Sequence, residues 1–156
     1  MKFRFILFNT ICAVVLAASS TALAGEVVII SSIQATDSAR SLEGRIIGNV
    51  DNIDGTLVVT DLRFEYNGRI LGRRLNIQSG QALLNKICAS LTGNNVLSTY
   101  LGGDTLAFGR SEDLVVLKDD QLSIVNSPSG HLTAMACGQI SPEVQRMAEQ
   151  AASTGG

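Results

Sequence analysis

The chain has no tryptophan, one histidine, two prolines and three cysteines, and only 4% of its 156 residues are aromatic. Each scarcity removes a class of chemistry. With His131 as the sole imidazole, no multi-histidine zinc or iron site can be assembled. Beyond residue 24 the aromatic residues are Phe64, Tyr66, Tyr100 and Phe108. A flat aromatic platform for sugars therefore has little to draw on. The Gly-x-Ser-x-Gly elbow and the Ser-x-x-Lys pair are both missing, so the common serine-hydrolase layouts have no anchor. No Cys-x-x-Cys pair suggests a catalytic dithiol. Past the N-terminus, no apolar stretch approaches the roughly 20 residues that a membrane-spanning helix needs.

The N-terminus itself is distinctive. Lys2 and Arg4 precede an apolar run from Phe5 to about Leu16, and small residues follow, ending in Ala22-Leu23-Ala24. That is the three-part layout of a cleaved secretory signal peptide. The expectation is a leader over residues 1–24, a single β-rich globular domain over 25–140, and a short helix with a frayed tail over 141–156. The mature protein would be periplasmic or extracellular, with no transmembrane segment. Removing Lys2 and Arg4 takes the bases from 12 to 10 against 14 acids, a formal net charge of −4. A mildly acidic domain has no general attraction to nucleic acid or anionic lipid. Cys12 would leave with the leader, and Asn9-Thr10-Ile11 before it does not form a lipid-attachment motif. Cys88 and Cys137 remain. In an oxidising compartment they are expected to form one disulfide.

Local patterns predict an α+β fold: a mostly antiparallel curved sheet with one main helix packed on it and a short C-terminal helix. Strands are expected at Val27–Ile30 (extending toward Gln34), Gly44–Val50 and Thr56–Tyr66, with a hairpin loop at Asp51–Gly55. Asn67-Gly68 predicts a two-residue turn. That turn would set Tyr66 against Arg69, Phe64 against Leu71, and Asp61 against Arg74. Leu62, Phe64, Tyr66, Leu71 and Leu75 would then line a buried face. Leu83, Leu84, Ile87, Cys88 and Leu91 recur at helical spacing, with Ser79 as N-cap and Gly93 as stop. Further strands are expected at Val96–Leu101, Thr105–Phe108, Leu114–Leu117, Leu122–Val125 and His131–Cys137. Asp119-Asp120 should form a turn. Ser141-Pro142-Glu143 should open the last helix, with proline at its first position.

Candidate functional residues are few. Arg63, Arg69, Arg73 and Arg74 concentrate positive charge on one predicted hairpin. They suggest a surface for an anionic envelope glycan or an acidic protein. The predicted register divides them between two faces, which favours a solvated sheet with cross-strand pairs. Asp51-Asn52-Ile53-Asp54-Gly55 resembles a calcium loop only in part, since Val50 would hold the first ligand position. Gly102-Gly103-Asp104 lacks the spacing and the following helix of a phosphate cradle and reads as a turn. No cofactor or metal site is predicted. The leading expectation is an exported non-enzymatic binding or envelope-structural module. The alternative is a small hydrolase or enzyme inhibitor with a loop-borne site around His131.

Overall fold

The computed structural model describes residues 25–37, 41–66, 73–104 and 109–154. The leader, the Asn67-Gly68 turn and the Thr105–Phe108 strand expected from sequence lie outside them. In chain order the elements are β1 (Glu26–Thr36), β2 (Ser41–Ile53), β3 (Thr56–Tyr66), β4 (Arg73–Ile77), α1 (Gln81–Thr92), β5 (Ser98–Asp104), β6 (Glu112–Lys118), β7 (Gln121–Ser127), β8 (His131–Cys137) and α2 (Pro142–Thr154).

Six strands close into a barrel in the cyclic order β1, β2, β3, β4, β6, β7. The expected curved, mostly antiparallel sheet is thus closed into a barrel, a closure that the sequence pattern did not announce. The β1–β2, β2–β3, β3–β4 and β6–β7 pairs are antiparallel, while β4–β6 and β7–β1 are parallel. The parallel contacts close the ring, and each is short: Asn76 and Ile77 on Leu114 and Val115, and Ala35 and Thr36 on Leu122 and Ser123. Such pairs join strands far apart in the chain, so no local pattern announces them. The strand β8 extends the sheet from β3, and β5 lies outside β8.

A bulge in β3 makes room for this branch. Ile47 faces Arg63 and Asn49 faces Thr60, so Asp61 and Leu62 together oppose Gly48. Asp61 adopts a φ of 49° there. A bulge bends its strand and sharpens the twist. Before it, Leu57–Thr60 pair with β8; after it, Arg63–Tyr66 pair with β4.

The β3–β4 register differs from the one a two-residue turn would impose. Tyr66 faces Arg73, Phe64 faces Leu75 and Glu65 faces Arg74. Arg74 therefore meets Glu65 rather than Asp61. The expected inner face survives the shift, because the displacement is an even number of residues and preserves the alternation. Leu62, Phe64 and Tyr66 are buried, and Leu75 packs against the core. Among the described residues, two-residue turns occur at two places. Asp54-Gly55 joins β2 to β3 and Asp119-Asp120 joins β6 to β7, all four residues with positive φ. The first is shorter than the expected Asp51–Gly55 loop, since β2 runs on to Ile53.

The helix α1 forms where its apolar spacing predicts. Its N-cap is Gly80 rather than Ser79, and no side chain caps it. Gly93 ends it in the left-handed conformation, donating its N–H to Ala89 O. Leu83, Leu84, Ile87 and Cys88 are buried and join Phe64, Ile46, Val59, Ile77, Val115 and Met135 in one continuous core. Cys88 is bonded to Cys137, which fastens α1 to the end of β8. A second small cluster, Val58, Ala136 and Val144, docks α2 with help from Ile53, Leu101 and Ile140. Ser141 opens α2 as expected: its Oγ accepts the Val144 N–H.

Among the described residues, no helix is long and apolar enough to cross a membrane.

Candidate functional site

With the core filled, chemistry must be sought on the surface. Two concavities are relevant. The larger, about 560 Å³, is an open groove lined by Ser31, Ser32, Ser41, Leu42, Glu43, Gly44, Arg45, Glu65 and Tyr66. It lies where β1 bulges. Ile30 faces Ile46 and Ile33 faces Gly44, so Ser31 and Ser32 together oppose Arg45. A bulge of this kind re-aims side chains that a regular strand would alternate.

An ion-pair ladder runs beside the groove. Arg45 donates from both Nε and Nη2 to Glu65 Oε1, at 3.0 and 2.6 Å. Arg74 donates from Nε to Glu65 Oε2 at 3.3 Å and from Nη2 to Glu26 Oε1 at 3.0 Å. Two guanidinium groups and two carboxylates thus connect β1, β2, β3 and β4. The hydrogen bonds from Arg45 above all hold the Glu65 carboxyl below the ordinary carboxylate range; the charges of Arg45 and Arg74 add to this, and partial burial opposes it. On the groove wall, Ser32 Oγ donates to Glu43 Oε1 at 3.0 Å.

The smaller concavity, about 240 Å³, is lined by Asp61, Leu62, Arg63, Asp104, His131, Leu132 and Thr133. Here five strands bring polar side chains together. His131 Nδ1 lies 3.0 Å from Glu112 Oε1, and the same oxygen accepts from Asn76 Nδ2 at 3.0 Å. If Nδ1 carries the proton, it donates to Glu112 and leaves Nε2 as the acceptor. Asp104 Oδ2 stands 3.7 Å from Nε2. Asn76 Oδ1 is buried without a hydrogen-bond partner. Among the described residues, no serine, threonine or cysteine hydrogen-bonds His131. His131 is the first residue of β8, the strand start expected from sequence, so the residues gathered around it come from strands rather than from a loop.

The sequence-nominated arginines divide. Arg63 bonds to Asp61 across the bulge, Nε to Oδ1 at 2.9 Å. Arg74 belongs to the ladder. Arg73 is exposed and makes no ion pair among the described residues. Arg69 lies outside the described residues. Two of the four charges are therefore balanced inside the molecule.

Neither concavity was evident from sequence. Ser31, Ser32 and Arg45 carry no motif, and the bulge that gathers them depends on β2 as a neighbour. The His131–Glu112–Asn76 chain joins β8, β6 and β4, whose proximity follows from barrel closure. Gly102, Gly103 and Asp104, expected as a turn, continue β5. That continuation brings Asp104 opposite His131. Among the described residues, no group of three or more His, Cys, Asp or Glu side chains is arranged to hold a metal ion. No protein-family model, curated protein or solved structure matches the chain.

Proposed function

We propose that the protein is an exported binding module, working outside the cytosol without covalent chemistry of its own. The first 24 residues have the composition of a secretory leader, and the disulfide suits an oxidising compartment. One observation carries the binding reading: an open, polar groove of about 560 Å³ is lined by serine hydroxyls, two carboxylates and a guanidinium, groups that can hold a partner by hydrogen bonds.

The arginines add a charged partner to this reading. Arg73, with Arg69, offers a basic contact for an anionic envelope glycan or an acidic protein surface. Arg63 and Arg74 contribute less, because each already answers a carboxylate. The double variant Arg69→Glu, Arg73→Glu tests this contact against heparin as a polyanionic probe. Binding that weakens in the variant and in salt supports the contact, while unchanged binding removes it. Export is tested by the intact mass of the protein from its native cell fraction, before and after reduction and alkylation. A mass for Gly25–Gly156, with two thiols reactive only after reduction, supports the reading. A full-length mass with free thiols overturns it.

A second reading has its own observation. Glu112 orients His131 beside a concavity, an arrangement that suits a general base. Under this reading the protein is a small hydrolase or an enzyme inhibitor. His131→Ala would then abolish activity in hydrolysis or inhibition assays and leave folding intact.

A further inference from the structure

We propose that the groove between β1, β2 and the end of β3 binds an uncharged, hydroxyl-rich glycan chain, held by Glu43, Arg45 and the hydroxyls of Ser31, Ser32 and Ser41. The inference rests on the binding reading above and specifies its ligand.

The chemistry of the lining selects this class. A carboxylate accepts hydrogen bonds at two oxygens, and a guanidinium donates through a planar fork. Neighbouring hydroxyls on a sugar ring present complementary donor and acceptor pairs at similar spacing. Glu43 Oε2 and the remaining edge of the Arg45 guanidinium line one groove with the hydroxyls of Ser31, Ser32 and Ser41, while Glu65, which accepts from Arg45 and Arg74, holds Arg45 in place. Half-buried Leu42 supplies apolar surface for the C–H face of a ring. Arg45 is fixed by two hydrogen bonds to Glu65, and Arg74 fixes Glu65 from the other side. These planar groups are ordered before a ligand arrives, which reduces the entropy lost on binding.

Charge argues against a polyanion at this place. The lining holds two carboxylates and one guanidinium, an excess of one negative charge. Shape is consistent with a small ligand or one segment of a chain, since such sites occupy about 300–1,000 Å³. The groove is open at the surface, so a polymer can lie along it without threading. The shortage of aromatic rings then has a consequence: affinity comes mainly from polar contacts and should be insensitive to salt.

The test is titration of the disulfide-bonded protein with chitohexaose, cellohexaose and maltohexaose as neutral probes and heparin as the anionic one, followed by amide NMR shifts. Saturable shifts at residues 31, 32 and 41–45 with at least one neutral probe are expected. Glu43→Gln should weaken that binding about tenfold, the scale of one charge-assisted hydrogen bond. Ser41→Tyr, which places a bulky ring in the groove lining, should abolish it. Both variants are first checked for unchanged thermal melting. If one is unstable, the other decides. The absence of saturable groove shifts with all three neutral probes overturns the inference. Heparin binding through Arg69 and Arg73 with no saturable groove shift from any neutral probe would overturn it while leaving the binding module standing. Failure of all four probes, together with a His131-dependent hydrolytic activity, would overturn both.

Discussion

Thr56 should be one of the least replaceable polar residues in the protein. Its side chain is fully buried at the start of β3. Its Oγ donates to Gln139 O at 2.7 Å and accepts the Ser141 N–H at 2.8 Å. Ser141 in turn bonds Ile53 O and caps the Val144 N–H. One hydroxyl therefore organises the turn that leads from β8 into α2. Thr56→Val preserves shape and removes that hydroxyl, leaving the buried Ser141 N–H without its acceptor and the carbonyl of exposed Gln139 without its donor. The buried orphan costs about 1–3 kcal/mol. That is a substantial share of the roughly 5–15 kcal/mol that stabilises a typical domain. Thr56→Ser keeps the hydroxyl and loses one methyl group, which should cost about 1 kcal/mol. Urea unfolding with the disulfide intact measures both, as a shift of midpoint at constant slope. Hydrogen exchange should also show the first turn of α2 losing protection in the valine variant. The reasoning is refuted if valine costs less than about 0.5 kcal/mol, or if serine costs as much as valine.

Other consequences follow from the same geometry. A methyl group at Gly44 would collide with the Glu65 carbonyl oxygen and stand 2.6 Å from Phe64 Cζ. Gly44→Ala should therefore destabilise by about 1–3 kcal/mol, and calorimetry should record a lowered melting temperature. Breaking the Cys88–Cys137 bridge, with a sequence separation of 49, should cost about 4 kcal/mol on the chain-entropy model; urea unfolding of a Cys88→Ala, Cys137→Ala variant measures it. The folded-state pKa of Glu65 is depressed below 4.5. Its contribution is thus present above that pH and lost as pH falls through the folded value. Glu65→Gln should flatten the acid limb of the stability profile, and a profile unchanged below pH 4.5 would refute the role given to Arg45.

How much of this was legible in advance varies with the range of the interaction. The helix α1 was readable because Leu83, Leu84, Ile87 and Cys88 repeat at its period, and Gly93 stops it. The limits of β3 and β8 were readable from runs of β-branched and apolar residues with turn residues outside them. The Cys88–Cys137 bond followed from having two cysteines beyond residue 24. The Ser79 cap failed because its choice depended on a single residue position, and helix ends shift by that much. The β3–β4 register failed for a different reason. Asn67-Gly68 has the composition of a tight turn, but the pairing of Tyr66 with Arg73 places six residues between the paired ends. The candidate sites were least legible. Cross-strand pairing of the arginines was expected, but with Asp61 set against Arg74; the actual partners, Asp61 for Arg63 and Glu65 for Arg74, depend on the bulge and on the true register. Asn76, Glu112 and His131 are separated in sequence and carry no motif.

The sequence by itself determined the short-range features: the Asp54-Gly55 and Asp119-Asp120 turns, the apolar faces of β3 and α1, where α1 begins and ends to within a residue, and which two cysteines could bond. These depend on backbone preference and side-chain periodicity, which act over a few residues. Tertiary structure alone decided the rest. Closure depends on the parallel contacts β1–β7 and β4–β6, each confined to two residue pairs. Their formation is governed by whether the whole apolar surface can be buried at once. Closure and the bulges in β1 and β3 then set which polar groups meet on the outside. The groove with its Arg45–Glu65–Arg74–Glu26 ladder and the His131–Glu112–Asn76 chain are products of that packing. Charges and hydrogen-bonding groups act through space, and only the folded chain fixes the distances between them.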